Sequence, residues 1–479
     1  MHTLSKSKYL TGLTCPRLFW MTFHQPEKLP AIDDALQARF EQGREIGTLA
    51  KKRWSDGVDL EALPIASKIQ QTIELLTSRK PIFEAAFSSK GTYCQVDALV
   101  PSENGWDIVE VKSSASVKDE HILDVAFQRH CLGLAGINVE RCRVMHLNSQ
   151  YVYDGALDVH ALFTIIDVSA EVDEMIGDVP RNLKQLQKIL ALKKAPEPKL
   201  GEECLNPGEC PVCLLDLPAD NVTELTRFKN TAYDLINNDI VLIKDIPANI
   251  KLNDKQRLQV ECVLTGKPAI DRDAVRGFLK KLIYPVYCID FETTNPAIPL
   301  FVGMRPYQQI PFQVSIHVIE KDGSLSHIEW LAQGNDDPRP GIIETLRKIG
   351  PVGTVLSYNK SFEEGRIKEL AETYPDETWL LGLLDRMQDL IVPFRSFWYY
   401  HPLQRGSCSM KAVLPALTGR TYKGMEISQG DQAAREFLEV IWRGNKNGRD
   451  TKKLRAALLE YCGQDTLGMV EILEVLGRV

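Results

Sequence analysis

Asp290 and Glu292 stand one residue apart at the end of the run Tyr284-Pro-Val-Tyr-Cys-Ile-Asp-Phe-Glu-Thr-Thr294. The run is apolar and rich in strand-favouring residues, and in a strand positions i and i+2 point to one face. The spacing therefore predicts two carboxylates projecting together from the exit of a buried strand. Burying unpaired charge is costly. A divalent cation removes that cost, and two such ions can clamp a phosphodiester during hydrolysis. The plainer alternative is a strand that ends in solvated acids. Near the other end of the chain, Tyr461-Cys-Gly-Gln-Asp465 places a tyrosine and an aspartate four apart, on one face of a predicted helix over 452–476. That aspartate can complete a metal site, and the tyrosine can hold or deprotonate an attacking water. An amphipathic helix with an exposed Tyr–Asp pair is the competing reading.

A second polar set lies in the first half. Asp97 falls near the end of one predicted strand, Glu110-Val-Lys112 ends the next, and Gln128 follows on a helix. Asp plus Glu-x-Lys suits phosphodiester hydrolysis: carboxylates hold a cation, and the lysine positions the water or stabilises the oxyanion. A surface Glu–Lys pair, worth little, is the alternative. A third set is Cys204-Leu-Asn-Pro-Gly-Glu-Cys210-Pro-Val-Cys213. Close thiols in a proline-rich loop point to zinc or an iron–sulfur cluster. Both commonly take four ligands, and Cys15, itself followed by proline, is the candidate fourth. The other seven cysteines, Cys462 included, are scattered singly and read as small core residues.

The elements that must position these residues follow from periodicity. After helices over 35–54 and 65–76, strands are predicted over 81–87, 92–100 and 106–111, with Ser102-Glu-Asn-Gly105 turning a hairpin. A helix over 119–134 and a strand over 141–147 complete that half. Ala195-Pro-Glu-Pro-Lys-Leu-Gly201 is a connector, and 220–282 reads as a helical spacer without evident chemistry, the alternative being a small helical module that contacts DNA, its helices starting at Asp254 and Asp271. From 283 the Asp290 strand is followed by strands over 312–319 and 325–331, a helix over 340–349, a short buried strand over 353–358 and a helix running to about 372.

Composition sets the outer limits. The 479 residues are 44% hydrophobic and 25% charged, which is globular composition. No apolar run approaches the roughly 18 residues of a membrane span, and Met1-His-Thr-Leu-Ser-Lys lacks a signal h-region, so a cytoplasmic protein without membrane partners is expected. A net charge of −7 argues against coating nucleic acid by bulk electrostatics. It leaves room for enzymes that confine basic groups to one groove.

Residues 5–215, through Asp97, Glu110-Val-Lys112, Ala126-Phe-Gln128 and the cysteines, resemble the PD-(D/E)xK nucleases of the RecB-like branch. The likeness is to CRISPR-associated and recombination nucleases carrying an iron–sulfur cluster. The resemblance implies Asp97 and Glu110 as metal ligands, Lys112 and Gln128 as catalytic groups, and a [4Fe-4S] cluster on Cys15, Cys204, Cys210 and Cys213. The chain departs from that pattern at Gly43-Arg-Glu-Ile-Gly47, where many relatives carry a metal-binding histidine four residues after a glycine. Glu45 and Glu84 are the candidate replacements.

Residues 283–479 resemble the DEDD exonucleases of the DnaQ-like branch, tyrosine subclass, through Asp290-Phe-Glu292, Asn359-x-x-Phe-Glu363 and Tyr461-x-x-x-Asp465. The resemblance implies Mg²⁺ or Mn²⁺ on Asp290, Glu292 and Asp465, with Tyr461 orienting water. Glu363 stands where an aspartate is usual, its longer arm still able to reach a metal, with Asp389 as a substitute. Ser409-Met-Lys411 and the basic run 443–455 are candidates for holding phosphates.

Together these resemblances imply an α/β chain. It would have a restriction-endonuclease-like nuclease domain at 1–219, the connector at 220–282, and an RNase H-like exonuclease domain at 283–479, a mixed sheet with helices on both faces. The expected function is 3′→5′ hydrolysis of nucleic acid, of single-stranded or end-containing DNA, in repair, recombination or defence. The competing expectation is a non-catalytic nucleic-acid-binding or adaptor protein with a structural or redox-sensing metal group.

Overall fold

The computed structural model describes residues 2–201, 204, 210, 212–213, 217–445 and 448–479, and they form a mixed α/β protein. The chain divides into two compact units. One comprises Met1–Leu215 with Ala297–Gln308, the other Asp216–Pro296 with Gln309–Val479. The spacer expected at 220–282 is therefore not a separate body. Its Val275 and Phe278 share a hydrophobic cluster with Val286, Phe394 and Leu476 of the second unit. Residues 297–308, expected in the exonuclease half, belong to the first unit because Ala297 packs in the cluster of Phe83, Ala98 and Val109.

The first unit is built on a seven-stranded sheet. Its strands are β1 (Leu4–Ser5), β2 (Val58–Asp59), β3 (Ile82–Ser89), β4 (Thr92–Pro101), β5 (Trp106–Lys112), β6 (Val139–Leu147) and β7 (Phe163–Asp167), in spatial order β2-β3-β4-β5-β6-β7 with β1 beside β4. Strands β3, β4 and β5 pair antiparallel, while β5 and β6 are parallel, joined through the helix Asp119–Leu134. Side chains alternate between two clusters. Ile108 faces the cluster of Val125 and Phe127 on that helix, and Val109 faces the one holding Ile46 and Ala50 of the helix Asp34–Lys51. Glu110 and Lys112 continue the Ile108 face, so period-2 geometry turns them toward Gln128. In β3 and β4 the alternation breaks at Glu84 and Asp97. Phe83 and Ala98 face one cluster, Ala85 and Val96 the other, and Glu84 lies at φ 58°.

The second unit carries a small antiparallel pair, β8 (Ala269–Ile270) with β14 (Tyr399–Tyr400), and a five-stranded mixed sheet. That sheet contains β9 (Val286–Thr294), β10 (Ile310–Ile319), β11 (Leu325–Leu331), β12 (Thr354–Ser357) and β13 (Met387–Asp389), in spatial order β11-β10-β9-β12-β13. The first three pair antiparallel and the last two run parallel to β9. Strand β9 is buried on both faces, as a central strand must be when helices cover both sides. Val286 and Cys288 pack toward Leu454, Leu458 and Met469 of the closing helix Thr451–Gly477. Tyr287, Ile289 and Phe291 pack toward Ile342, Ile343, Ile367 and Leu370. Among the described residues, no helix is long and apolar enough to cross a membrane.

Candidate active site

Asp290 and Glu292 share the face of Val286 and Cys288, so β9 delivers them to the closing helix. That helix turns Tyr461 and Asp465 toward them: Tyr461 is buried, and the phenol of Tyr422 donates to Asp465 Oδ1. A side chain at Gly430 would begin 3.6 Å from Glu292 Oε2 and 3.9 Å from the Tyr461 hydroxyl, which places those two groups around one small space. Asp290, Glu292 and Cys462 form a group whose potential ligand atoms all lie within 4.8 Å of one another. Cys462 was expected to be core filling. It is fully buried, but its Sγ lies 3.5 Å from Asp290 Oδ2.

Glu363 enters from the helix Ser361–Thr373 and is 2% exposed, and its Oε2 is buried without a hydrogen-bond partner. Burial pushes its carboxyl up to about 8, with Asp389 adding to the rise. Burial, then the charges of Asp465, Glu292 and Glu363, pushes Asp290 well above the carboxylate range. Glu292 is raised in the same way, by burial and then by Asp465. Asp465 rises to about 6 through burial, opposed by the hydrogen bond from Tyr422, the charge of Lys411 and the hydrogen bond from Tyr461. Asp465, Glu292 and Glu363 thus bear on Asp290 through their charges, while the ligand atoms within 4.8 Å of one another are those of Asp290, Glu292 and Cys462. Burying acids without partners costs free energy, a cost that a bound cation would remove.

Asp389, the alternative to Glu363, instead accepts from the backbone N–H groups of Asn359 at 3.0 Å and Ile391 at 3.1 Å. Lys411 Nζ hydrogen-bonds Gln429 Oε1 at 2.8 Å and sits 5.5 Å from the Tyr461 ring centroid. The basic run 443–455 is engaged in its own fold. Arg449 pairs with Glu436 at 2.7 Å, Lys453 with Glu426 at 3.1 Å, and Arg455 donates to the carbonyls of Leu331 and Ala332. Residues 446 and 447 of that run lie outside the described residues.

In the first unit, Asp97, Glu110, Lys112 and Glu84 line a cleft of about 650 Å³, together with Gly43 and Gly47. Glu45, the other candidate replacement, is not part of that lining. A Cβ at Gly43 or Gly47 would meet nothing within 4 Å. Gln128 Nε2 donates to Glu110 Oε2, and Val111 N donates to Asp97 Oδ2 at 2.7 Å. Two residues missed from sequence complete the set. Lys6 pairs with Glu110, while Lys112 bridges Glu110 at 2.9 Å and Asp124. Burial pushes the Asp97 carboxyl up to about 7, with the Glu110 charge adding and Lys6 opposing. Burial would raise Glu110 too, but Lys112 and Lys6 outweigh it and hold that carboxyl low. Asp124 was legible in principle, since it lies four residues before Gln128 on the same helical face. Lys6, more than 100 residues from Glu110, left no local signal.

Cys15 caps the helix Pro16–His24, its Sγ accepting from Leu18 N at 3.3 Å. Cys210 N donates to Cys204 O at 2.8 Å. Burial pushes the Cys213 thiol up, with contributions from Cys210, Cys15 and Cys204 and an opposing one from Arg17. Cys213 therefore lies within electrostatic reach of the other three. Most residues between these three C-terminal cysteines lie outside the described set.

Comparison with known proteins names no activity. A family model described as a domain of unknown function (DUF2779) matches residues 287–409. The match opens within β9 and takes in Asp290, Glu292 and Glu363, ending before Lys411, Tyr461 and Asp465. No curated protein matches the sequence. Among solved structures, "Crystal structure of SSO0001" is similar at 13% identity over 42% of this chain and 80% of that chain, with a TM-score of 0.17, too low to carry a structural argument.

Proposed function

We propose that the chain is a metal-dependent nuclease whose hydrolytic centre is the carboxylate cluster of the second unit, releasing nucleotides from the 3′ end of DNA. The observation that carries this reading is the Asp290–Glu292 pair, whose ligand atoms lie within 4.8 Å of each other and on which the charges of Asp465 and Glu363 bear. The strand order β11-β10-β9-β12-β13, three antiparallel strands continued by two parallel ones, is compatible with an RNase H-like sheet of the DEDD kind. Mg²⁺ or Mn²⁺ held by these four carboxylates would activate water and stabilise the leaving 3′ oxygen. Burial and the surrounding negative charge keep the Tyr461 phenol protonated in the metal-free protein, where it donates to Asp465; beside bound metal it would hold or deprotonate the attacking water. Lys411, beside the cluster, is placed to meet a phosphate oxygen.

In the PD-(D/E)xK-like set of the first unit, two lysines offset the carboxylates, although Asp124 Oδ1 and Gln128 Oε1 are also buried without a hydrogen-bond partner. Lys6 and Lys112 answer Glu110 and Asp124, and Asp97 is half-neutral near pH 7. No side chain stands at Gly47. We read this unit as a clamp for DNA, with Cys15, Cys204, Cys210 and Cys213 holding an iron–sulfur cluster or zinc that ties the ends of the unit together. The test is degradation of end-labelled single-stranded DNA with Mn²⁺ by wild type, Asp290→Ala and Lys112→Ala proteins purified anaerobically. Loss of cleavage by a factor of 100 or more in Asp290→Ala, on the scale of about 3 kcal/mol of transition-state stabilisation, with Lys112→Ala retaining it, is expected. Undiminished turnover by Asp290→Ala would sink the assignment. Absence of cleavage by wild type on both DNA and RNA would favour the adaptor reading.

A further inference from the structure

The stretch read from sequence as a spacer forms one wall of a second cleft in the second unit, of about 460 Å³, walled on the other side by residues that follow β13. Arg227, Lys255 and Arg395 line it; the lining carboxylate, that of Asp254, pairs with Arg257, and Asp389 lies 4.0 Å from the Arg395 guanidinium, so Arg227 and Lys255 are the cations left without a carboxylate in the lining. In a chain of net charge −7 this local excess of cations needs a reason. One wall is aromatic: Phe397 stacks on Tyr400 with centroids 5.0 Å apart and planes 11° from parallel. Lys255 lies 5.1 Å from the Phe397 centroid and donates to the Arg395 carbonyl at 2.8 Å.

The backbone around this cleft is bent in a particular way. Arg227 at φ 51° and Phe397 at φ 62° both occupy the left-handed region that L side chains rarely adopt. Gly406, at φ 76°, passes so close to Glu224 that a Cβ there would lie 1.7 Å from its carbonyl oxygen. Left-handed non-glycine residues concentrate at ligand clamps, where surrounding structure holds them in place. Here two of them present a cation and a ring to the same space.

The cleft is also wired to the carboxylate cluster. Arg395 donates to Asn359 Oδ1 at 3.1 Å, and Asn359 N donates to Asp389, whose charge bears on Glu363. Tyr358 donates to the carbonyl of Cys408 at 2.7 Å; Cys408 lines the cleft, and Lys411 follows it by three residues.

We propose that this cleft seats a nucleotide of a single-stranded nucleic acid whose end lies at the carboxylates. Its phosphate would be held by Arg227, Lys255 and Arg395, and its base would rest against the partly exposed Phe397 ring, which the buried Tyr400 backs. This deepens, and rests on, the nuclease reading of the same unit. A positive groove with an aromatic platform is the general solution for holding single strands without reading sequence.

The test is fluorescence anisotropy of 5′-fluorescein (dT)12 with Ca²⁺ across a salt series, in the full-length Asp290→Ala protein and in the same protein carrying Arg227→Gln, Lys255→Gln, Phe397→Leu or Phe397→Tyr. Arg227 and Lys255 are exposed, so their replacement leaves the fold intact. Each lost phosphate contact should flatten the slope of log K against log salt by about 0.7. Phe397→Leu should weaken binding about tenfold, and Phe397→Tyr should restore it. Lys368→Ala, on an exposed helix face paired with Glu364, serves as the unaffected control. Unchanged affinity and slope in Arg227→Gln and Lys255→Gln would overturn the proposal. So would full displacement of the oligonucleotide by equimolar thymidine monophosphate, which would make the cleft a mononucleotide site. The two readings fail separately: if wild type cleaves nothing while the cleft variants still lose binding, the nuclease assignment falls and the strand site stands.

Discussion

Glu363 is a carboxylic acid enclosed without a partner for one of its oxygens, and its titration follows from that. Burial lifts its carboxyl from the ordinary 4.5 to about 8. Between those values the folded metal-free protein keeps a proton that the unfolded chain has released, so stability falls as pH rises through that window. Below about 4.5 both states are protonated and nothing is lost. Asp465, lifted to about 6, contributes in the same direction over a lower window. Metal-free protein in EDTA should therefore lose about 2–4 kcal/mol between pH 5 and pH 8, read as a falling melting temperature. Mn²⁺ should remove most of the decline, and Glu363→Gln should make it shallower in EDTA, leaving the part due to the other raised carboxylates. A melting temperature that is flat with pH in EDTA would mean the cluster is not assembled as described. At this scale the sequence was a partial guide. Asp290, Glu292, Tyr461 and Asp465 are legible because strand and helix periods fix which side chains share a face. Tyr422 and Lys411 reach Asp465 from more than 40 residues away, where no period applies. Cys462 was visible inside the Tyr-x-x-x-Asp block, yet its role depends on the strand that lies across it.

Among elements, β9 decides most. Its even-numbered residues face the closing helix and its odd-numbered ones the helix Arg339–Leu346, and that single alternation predicts where Asp290 and Glu292 go. The strands over 92–101, 106–112 and 325–331 and the helix over 119–134 were equally legible from pattern and turn residues. The break at Glu84 and Asp97 was not, because it depends on a left-handed residue in mid-strand that no propensity favours. Pairing of β12 with β9 rests on a glycine. Gly353 turns the chain into β12 at φ 99°, and a Cβ there would sit 2.2 Å from the carbonyl oxygen of Pro285. Both the conformation and the close approach exclude a side chain. Gly353→Ala should cost about 2–4 kcal/mol in chemical denaturation of the second unit. A loss under about 0.5 kcal/mol, the range of ordinary surface changes, would show that β12 does not need this turn.

For the molecule as a whole, the order of residues along the chain and their grouping into bodies are not the same. Residues 297–308 come after β9, yet they belong to the first compact unit. Gly303 N donates to Tyr153 O at 2.8 Å, and Tyr153 N donates to Met304 O at 2.9 Å, so the segment adds a backbone rung there. The Tyr307 hydroxyl donates to the carbonyl of Ser113, next to Lys112. The signal lay in composition: Ala-Ile-Pro-Leu-Phe-Val-Gly-Met over 297–304 is too apolar for a loop that stays in water. Strand pairing outweighs that signal, because it makes 283–479 look self-contained. A fragment ending at residue 215 should accordingly be less stable than the same residues in the full chain. Its amides in β5 and β6 should exchange faster with deuterium, since it lacks the cover of Ala297 and the Tyr307 bond. Tyr307→Phe in the intact protein isolates the second of these. It removes one partly buried hydrogen bond, and a cost of about 1 kcal/mol is expected, confined to the exchange of residues around Ser113. Equal protection of β5 in fragment and full chain would show that the segment merely rests on the first unit without stabilising it.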